Sequence, residues 1–359
     1  MRLYCAALSC LLVLLSSQIR AEEPCRIAFD LGSSGIRAGG STQAPLRKMS
    51  FDFLAPLWRT EGTTAWQHTS TETFRQWKTD PISGKPCITV AGGFSAWRMA
   101  LTQDAPDLIA TLTHLYAETG VPVLIIPPEI EGPYAYVAAR NALGENLLTE
   151  GVLDIGGGSF QISAAKQSVG GALGQKSWHQ HLCTQRDPDA KVPCALSPLS
   201  QEERVEAQEY LADHLASLGL PRTLDLTAVS RPVTRGIWPA IRALRAIPAN
   251  SPARLTRSDL REAIGTLSML TPSEIAEALG EVSPHQTYLL SDLILLEGIL
   301  TATDHEILEI ADIELSNVPG LLADEQAWGW AQHYPCYLKH LPTEGVNTYL
   351  ANPAERCQP

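Results

Sequence analysis

Two short glycine-punctuated blocks, about 120 residues apart, constrain this chain more than any other feature. The first is Ile27-Ala28-Phe29-Asp30-Leu31-Gly32-Ser33-Ser34-Gly35-Ile36-Arg37, and the second is Val152-Leu153-Asp154-Ile155-Gly156-Gly157-Gly158-Ser159. In each, an apolar run delivers an aspartate to a turn of glycine and serine. Small residues at such a turn let backbone N–H groups approach an anion closely. One block alone is the pattern of an ordinary strand–turn–strand hairpin. Two, at domain-sized separation, predict related lobes that grip a phosphate chain between them.

The N-terminus reads as an export signal. Arg2 supplies the positive start, residues 5–16 form an apolar core, and Ile19-Arg20-Ala21 places a small residue at the expected cut. The apolar run is too short to span a bilayer. A soluble periplasmic or secreted protein starting near Glu22 is expected, without stable membrane insertion. Beyond the signal lie six cysteines, Cys25, Cys87, Cys183, Cys194, Cys336 and Cys357. An even number in an exported chain favours disulfides, with fifteen connectivities open. Closeness in sequence would join Cys183 to Cys194 and Cys336 to Cys357, leaving Cys25 with Cys87.

The rest of the chain is long enough for two domains, and 45% apolar content is enough for real cores. A net charge of −12 excludes nucleic acid as an expected partner. A phosphate-rich substrate would then need a local basic region. Arginines 222, 231, 235, 242, 245, 254, 257 and 261 supply one reading of such a region, a solvated helix face the other.

Local patterns alternate strand and helix. Strands are expected over 87–91 and 121–126, helical segments over 95–119 with a break at Pro106, and a helix over 134–148. Ser200 with Glu203 reads as a capping box for a helix over 201–219. Residues 258–310 read as mostly helix, broken at Pro272 and Pro284, with Thr271 and Ser283 before new starts. His179 and His181, read on a strand, would share one face and form a minor candidate metal pair beside a disulfide.

The two blocks resemble those of the exopolyphosphatase/guanosine pentaphosphatase family, within the actin–sugar kinase–Hsp70 superfamily. Asp30-Leu31-Gly32-Ser33-Ser34-Gly35 stands for the family's Asp-Ile-Gly-Ser-Asn-Ser, and Asp154-Ile155-Gly156-Gly157-Gly158-Ser159-Phe160-Gln161-Ile162 for Asp-Ile-Gly-Gly-Gly-Ser-Thr-Glu-Leu. Gly93-Phe94-Ser95-Ala96-Trp97-Arg98-Met99-Ala100 matches Ala-Thr-Ser-Ala-x-Arg-x-Ala. Pro128-Glu129-Ile130-Glu131-Gly132-Pro133-Tyr134 resembles the family's Gly-x-Glu-Glu-Ala-Arg segment before a helix. The resemblance covers roughly residues 25–325.

It implies an α/β chain with the two-lobed actin-like (ribonuclease H-like) fold, mixed sheets flanked by helices. Residues 1–21 would be the signal peptide, 22–150 the first lobe and 151–325 the second; 326–359, which has no counterpart in the family, reads as a disulfide-bearing tail whose aromatics pack on the second lobe. It also implies a phosphoanhydride hydrolase releasing orthophosphate from the ends of inorganic polyphosphate. Backbone at Gly32, Ser33, Ser34, Gly156, Gly157, Gly158 and Ser159 would cradle phosphate, joined by Arg98. Asp30 and Asp154 would hold Mg²⁺ or another divalent cation. Glu131 would act on the attacking water, with Glu129 as fallback. A homodimer stays open.

Three departures qualify the match. Gln161 stands where the family has a glutamate, Ser34 where it has asparagine, and Ala228-Val229-Ser230-Arg231-Pro232-Val233-Thr234-Arg235 replaces a glycine-containing segment. Arg231 and Arg235 then become candidates for side-chain phosphate contacts. The departures also motivate the alternative, a catalytically impaired protein of the same fold that binds polyphosphate or another phosphorylated ligand.

Overall fold

A computed structural model of the chain describes residues 25–41, 45–165, 167–280 and 286–358. The signal segment 1–21 and Ser283 lie outside them. Two sheets built on one plan carry the molecule.

In the first, β1 (Arg26–Gly32) pairs antiparallel with β2 (Gly35–Gly40), and β2 with β3 (Arg47–Ser50). On its other side β1 runs parallel to β4 (Ile88–Gly93), and β4 to β5 (Val123–Ile125). In the second, β6 (Gly151–Ile155) pairs antiparallel with β7 (Phe160–Ala164), and β7 with β8 (Gln167–Gly171). Its other side runs parallel to β9 (Leu226–Ala228), then β11 (Ile307–Ile310), with β10 (Arg254–Thr256) antiparallel at the edge. The orders 3-2-1-4-5 and 8-7-6-9-11 correspond strand for strand. The expected two-lobed actin-like α/β fold is the one adopted. Each aspartate block is the first strand of its sheet and the turn that follows.

The first lobe adds α1 (Leu54–Trp58), α2 (Thr64–Trp77), α3 (Ser95–Gln103) and α4 (Ala105–Thr119). Asp104 caps α4 through the Asp107 N–H, which is why the helical stretch breaks just before Pro106. Phe53, Trp66 and Trp97 pack edge-on and tilted against one another within this lobe's core.

The next helix corrects the sequence reading. α5 spans Pro128–Leu143, beginning six residues before Tyr134 and ending at Gly144, so Glu131 lies in its first turn. Pro128 opens it at a position where a missing N–H costs nothing, and Pro133 is still too near the start to break it. The helix lies against β7 and β8 of the second sheet. A Cβ on Gly132 would fall 1.8 Å from Ser168 Oγ, so only glycine permits this approach.

In the second lobe α6 (Gln175–Arg186) follows β8, and α7 (Gln201–Ala216) starts at the expected Ser200–Glu203 capping box. Then come α8 (Trp238–Leu244), α9 (Arg257–Leu267), α10 (Pro272–Leu279) and α11 (Leu289–Ala302). Thr271 caps α10 as its position suggests. The helical reading of 258–310 misses β11. α11 is apolar on nearly every side and is the buried axis of this core.

His179 and His181 sit on α6, not on a strand, so they do not share a face as read. His179 is fully buried between Ser291 Oγ (3.0 Å) and the Cys194 carbonyl (3.1 Å), and burial lowers its pKa to about 4. Its neighbours Cys183 and Cys194 are disulfide-bonded and therefore cannot ligate a metal as thiolates. Cys25–Cys87 and Cys336–Cys357 complete the three pairs that closeness in sequence suggests.

The tail also lands elsewhere than expected. α12 (Val318–Ala323), α13 (Glu325–Gln332), α14 (Tyr334–Glu344) and α15 (Pro353–Arg356) belong to the first lobe's core through Trp328, Trp330, Tyr334, Tyr337 and Tyr349. The reason is an open sheet edge. β5 leaves backbone groups unpaired, and the Tyr337 hydroxyl accepts from Ile125 N (2.8 Å) while the Tyr334 hydroxyl donates to Val123 O (3.1 Å). Among the described residues no helix is long and apolar enough to cross a membrane.

Candidate functional site

The two aspartate turns face each other across a cleft of ≈ 380 Å³ between the lobes. Asp30, Gly32, Ser33, Ser34, Glu131, Asp154, Gly156, Gly157 and Ser159 all lie on its wall. The turns touch. A Cβ on Gly157 would fall 2.3 Å from Ser33 Oγ, and one on Gly158 2.3 Å from Ser95 Oγ. Both contacts are with serine hydroxyls of the opposite lobe, so the glycines let the two lobes approach closely here. Gly158 and Arg98 do not line the cleft; they stand just behind the wall.

The second turn's polarity is set by the helix it feeds. The carbonyls of Gly156 and Gly157 accept from the first N–H groups of α6, at 2.9 Å from Gln175 and 2.8 Å from Lys176. With its carbonyls satisfying the helix start, the loop is left with the N–H groups of Gly157, Gly158 and Ser159, which have no partner among the described residues. The N–H groups of Ser33 and Ser34 are likewise unpartnered there, while their carbonyls accept from Phe53 and Phe51. Two sets of free backbone donors on facing loops form an anion cradle.

Glu131 is 8% exposed. Its Oε2 receives Arg98 Nη2 at 2.7 Å and the Gln161 amide at 3.4 Å, while Oε1 has no partner among the described residues. Arg98 is fixed in turn by the Ile126 carbonyl (2.9 Å), and Gln161 by Ser159 Oγ (3.1 Å). Burial raises the Glu131 pKa, and Arg98 opposes the rise. The departure at Gln161 therefore has a defined consequence. An amide donor supports the Glu131 carboxylate where a glutamate would repel it. Glu129, the fallback, is exposed and off the cleft wall.

The two aspartates differ. Asp30 accepts from Ser316 Oγ (3.2 Å), the Asn317 N–H (3.0 Å) and the Asn317 amide (3.5 Å), with Arg37 at 3.8 Å. Asp154 has no hydrogen bond or ion pair among the described residues. Burial, then the charges of Glu131 and Asp30, push its pKa up to about 7 against the opposing pull of Arg37. A half-buried carboxylate with no protein partner among the described residues, beside two others, is a hard-oxygen position that a cation would stabilise. No three carboxylate oxygens here come within 4.8 Å of one another among the described residues. The donor set fits Mg²⁺, which binds through one or two carboxylates and completes its shell with water and phosphate oxygens.

Cations missed in the sequence reading also reach the cleft. Arg37 and Lys176 line it, and Lys176 bridges the lobes to Asp52 at 2.8 Å. Arg37 stands in the first block itself, and its position two residues into β2 is the signal that could have found it. The arginine-rich stretch, by contrast, is divided. Arg245, Arg254, Arg257 and Arg261 are paired with Asp259, Glu309, Glu306 and Glu297 away from the cleft. Arg242 lies over the Trp238 ring. Of the eight, Arg231 alone is on the cleft wall.

No family model matches the chain. An uncharacterized protein of Streptomyces coelicolor is 26% identical over 254 residues, covering 67% of this chain and 72% of its own. Among solved structures, a Ppx/GppA family member from Aquifex aeolicus superposes with a TM-score of 0.61 at 19% identity, covering 84% of this chain and 97% of its own. An exopolyphosphatase from Cytophaga hutchinsonii superposes with a TM-score of 0.57 at 15% identity, covering 86% of this chain and 98% of its own. At these identities the likeness shows the fold: two facing lobes arranged as in the Ppx/GppA phosphatases.

Proposed function

We propose that the protein is an exported phosphoanhydride hydrolase that releases orthophosphate from the ends of inorganic polyphosphate. The observation that carries this reading is the state of Glu131. One carboxylate oxygen is fixed by Arg98 and Gln161, and the other is free on the wall of a cleft lined by unpartnered backbone donors. That arrangement suits a base which must hold one orientation and take a proton from water.

The terminal phosphoryl group lies between the Ser33–Ser34 and Gly157–Ser159 turns, whose N–H groups donate to its oxygens. Those donors are in place before substrate arrives, so they stabilise charge as it develops without reorganising. Water held at Glu131 Oε1 attacks phosphorus in line with the departing chain. Arg98 keeps the carboxylate oriented, and burial keeps it basic enough to accept the proton. Asp154, with Asp30 beside it, would hold Mg²⁺, which when bound neutralises charge on the phosphate oxygens. Asp30 itself is positioned by Ser316 and Asn317, so the segment returning from the second lobe fixes the first lobe's carboxylate.

The export signal supports a phosphate polymer over a nucleotide, because nucleoside triphosphates are scarce outside the cytoplasm. The test is orthophosphate release by the purified mature protein from long-chain polyphosphate, with Mg²⁺ and with excess chelator. Metal-dependent release is expected. Saturable binding of polyphosphate without release would leave a binding protein of the same fold.

A further inference from the structure

Beyond Asp30 the cleft continues over a second cluster of donors. Ser230 follows β9, lies on the cleft wall and is 3% exposed, yet its hydroxyl has no partner. Arg231 follows it on the same wall with its side chain 45% exposed. Arg235 sits four residues on, in a wide π-helical turn over Pro232–Ile237 of the kind that recurs at functional sites.

The charges around this cluster do not close. The carboxylate nearest Arg231 is Glu314 at 3.8 Å, and Glu314 is already bonded to Lys48. Arg235 has Asp312 at 3.5 Å, with both side chains mostly in solvent. Arg37 faces Arg231 from the first lobe. After burial, the like charges of Arg37 and Arg235 are the main causes that lower the Arg231 pKa, while Glu314 and Asp312 oppose them. Cations crowded together, with a buried hydroxyl that lacks an acceptor, present an incomplete anion site. Arginine forks and a hydroxyl match the oxygens of a phosphoryl group.

We infer that Ser230 and Arg231 on the cleft wall, with Arg235 four residues on and off the wall, form a second anion subsite that takes an inner phosphoryl group of the chain whose end lies between the two turns. This rests on the hydrolase reading and sharpens it: the preferred substrate is a linear chain of three or more phosphoryl groups, held at two points. The side chains here do what backbone N–H groups do at the two turns, so this segment needs no glycines.

The experiment compares long-chain polyphosphate with pyrophosphate on the mature protein. The double variant Arg231→Ala/Arg235→Ala should raise the KM for long chains on the order of a hundredfold, since each of the two lost charge-assisted contacts is worth about tenfold. The preference for long chains over pyrophosphate should narrow accordingly. Ser230→Ala should move the same ratio in the same direction by less. Arg222→Ala, which removes one exposed charge from the same lobe, is the control and should leave the ratio unchanged. A double variant that folds, hydrolyses long chains and keeps the wild-type KM ratio would overturn the subsite while leaving the hydrolase reading intact. A wild-type protein that releases no orthophosphate from any chain would overturn both.

Discussion

The two lobes repeat one strand order and one Asp–Gly–Ser turn, yet their aspartates meet opposite fates. Asp30 is held by Ser316, Asn317 and Arg37, whereas Asp154 has no partner among the described residues and is pushed up to about 7. The difference comes from topology. After β11 the chain crosses back through Ser316 and Asn317 to the first lobe and spends its donors on Asp30. The corresponding segment after β5 is α5, which packs on the second sheet but gives Asp154 no hydrogen bond among the described residues. A duplicated motif therefore supplies one carboxylate that is built into the scaffold and one that is available to a cation.

Exchanging the two residues separates those roles. Asp154→Asn should cost at least on the order of 100-fold in Mg²⁺ affinity, because even outer-shell changes cost 10–100-fold. Isothermal titration on the folded variant would measure this, and unchanged affinity would mean that Asp154 holds no metal. Asp30→Ala leaves the Ser316 and Asn317 donors unsatisfied and should lower stability by about 1–3 kcal/mol, with a smaller effect on Mg²⁺ affinity. The reverse ranking would break the comparison.

The pH response follows with a definite sign. Asp154 binds its proton more tightly folded than unfolded, so between its ordinary value of 3.8 and about 7 the folded state carries the extra proton. Stability of the metal-free protein should therefore fall as pH rises through that window. Added Mg²⁺ should restore it at the upper end, and Asp154→Asn should flatten the slope. Thermal melts from pH 4 to 8 measure all three, and a wild-type slope that survives in Asp154→Asn would assign it to another group. The smallest effect concerns the tail. Tyr337→Phe removes the cap on Ile125 N and should cost about 1 kcal/mol, read by denaturant unfolding. No loss would show that the β5 edge is satisfied without it.

The sheets and the cleft were legible because the turn chemistry is local: an apolar strand, an aspartate and small residues determine both. The Ser200–Glu203 and Thr271–Glu274 caps were readable for the same reason. Long-range choices were not. Trp330, Tyr334 and Tyr337 are apolar enough to cover either lobe, and only the unpaired edge of β5 decides between them. The start of α5 was hidden by Pro128 and Pro133, which read as breakers but both stand near a helix start. His179 and His181 were misassigned because the helix that holds them is set by carbonyls of a distant turn, Gly156 and Gly157. Arg37 lay in plain view in the first block, and its place two residues into the strand after the turn was the signal left unread.

The most direct test of the account is single-turnover release of orthophosphate from long-chain polyphosphate by the wild type and Glu131→Gln, with polyphosphate binding measured on both. The variant should lose about 10²–10⁴-fold in rate, the range for a positioned general base, while binding the polymer as well as the wild type. Release at the wild-type rate from Glu131→Gln would contradict the assignment of Glu131 and, with it, the mechanism built on the free oxygen of that carboxylate.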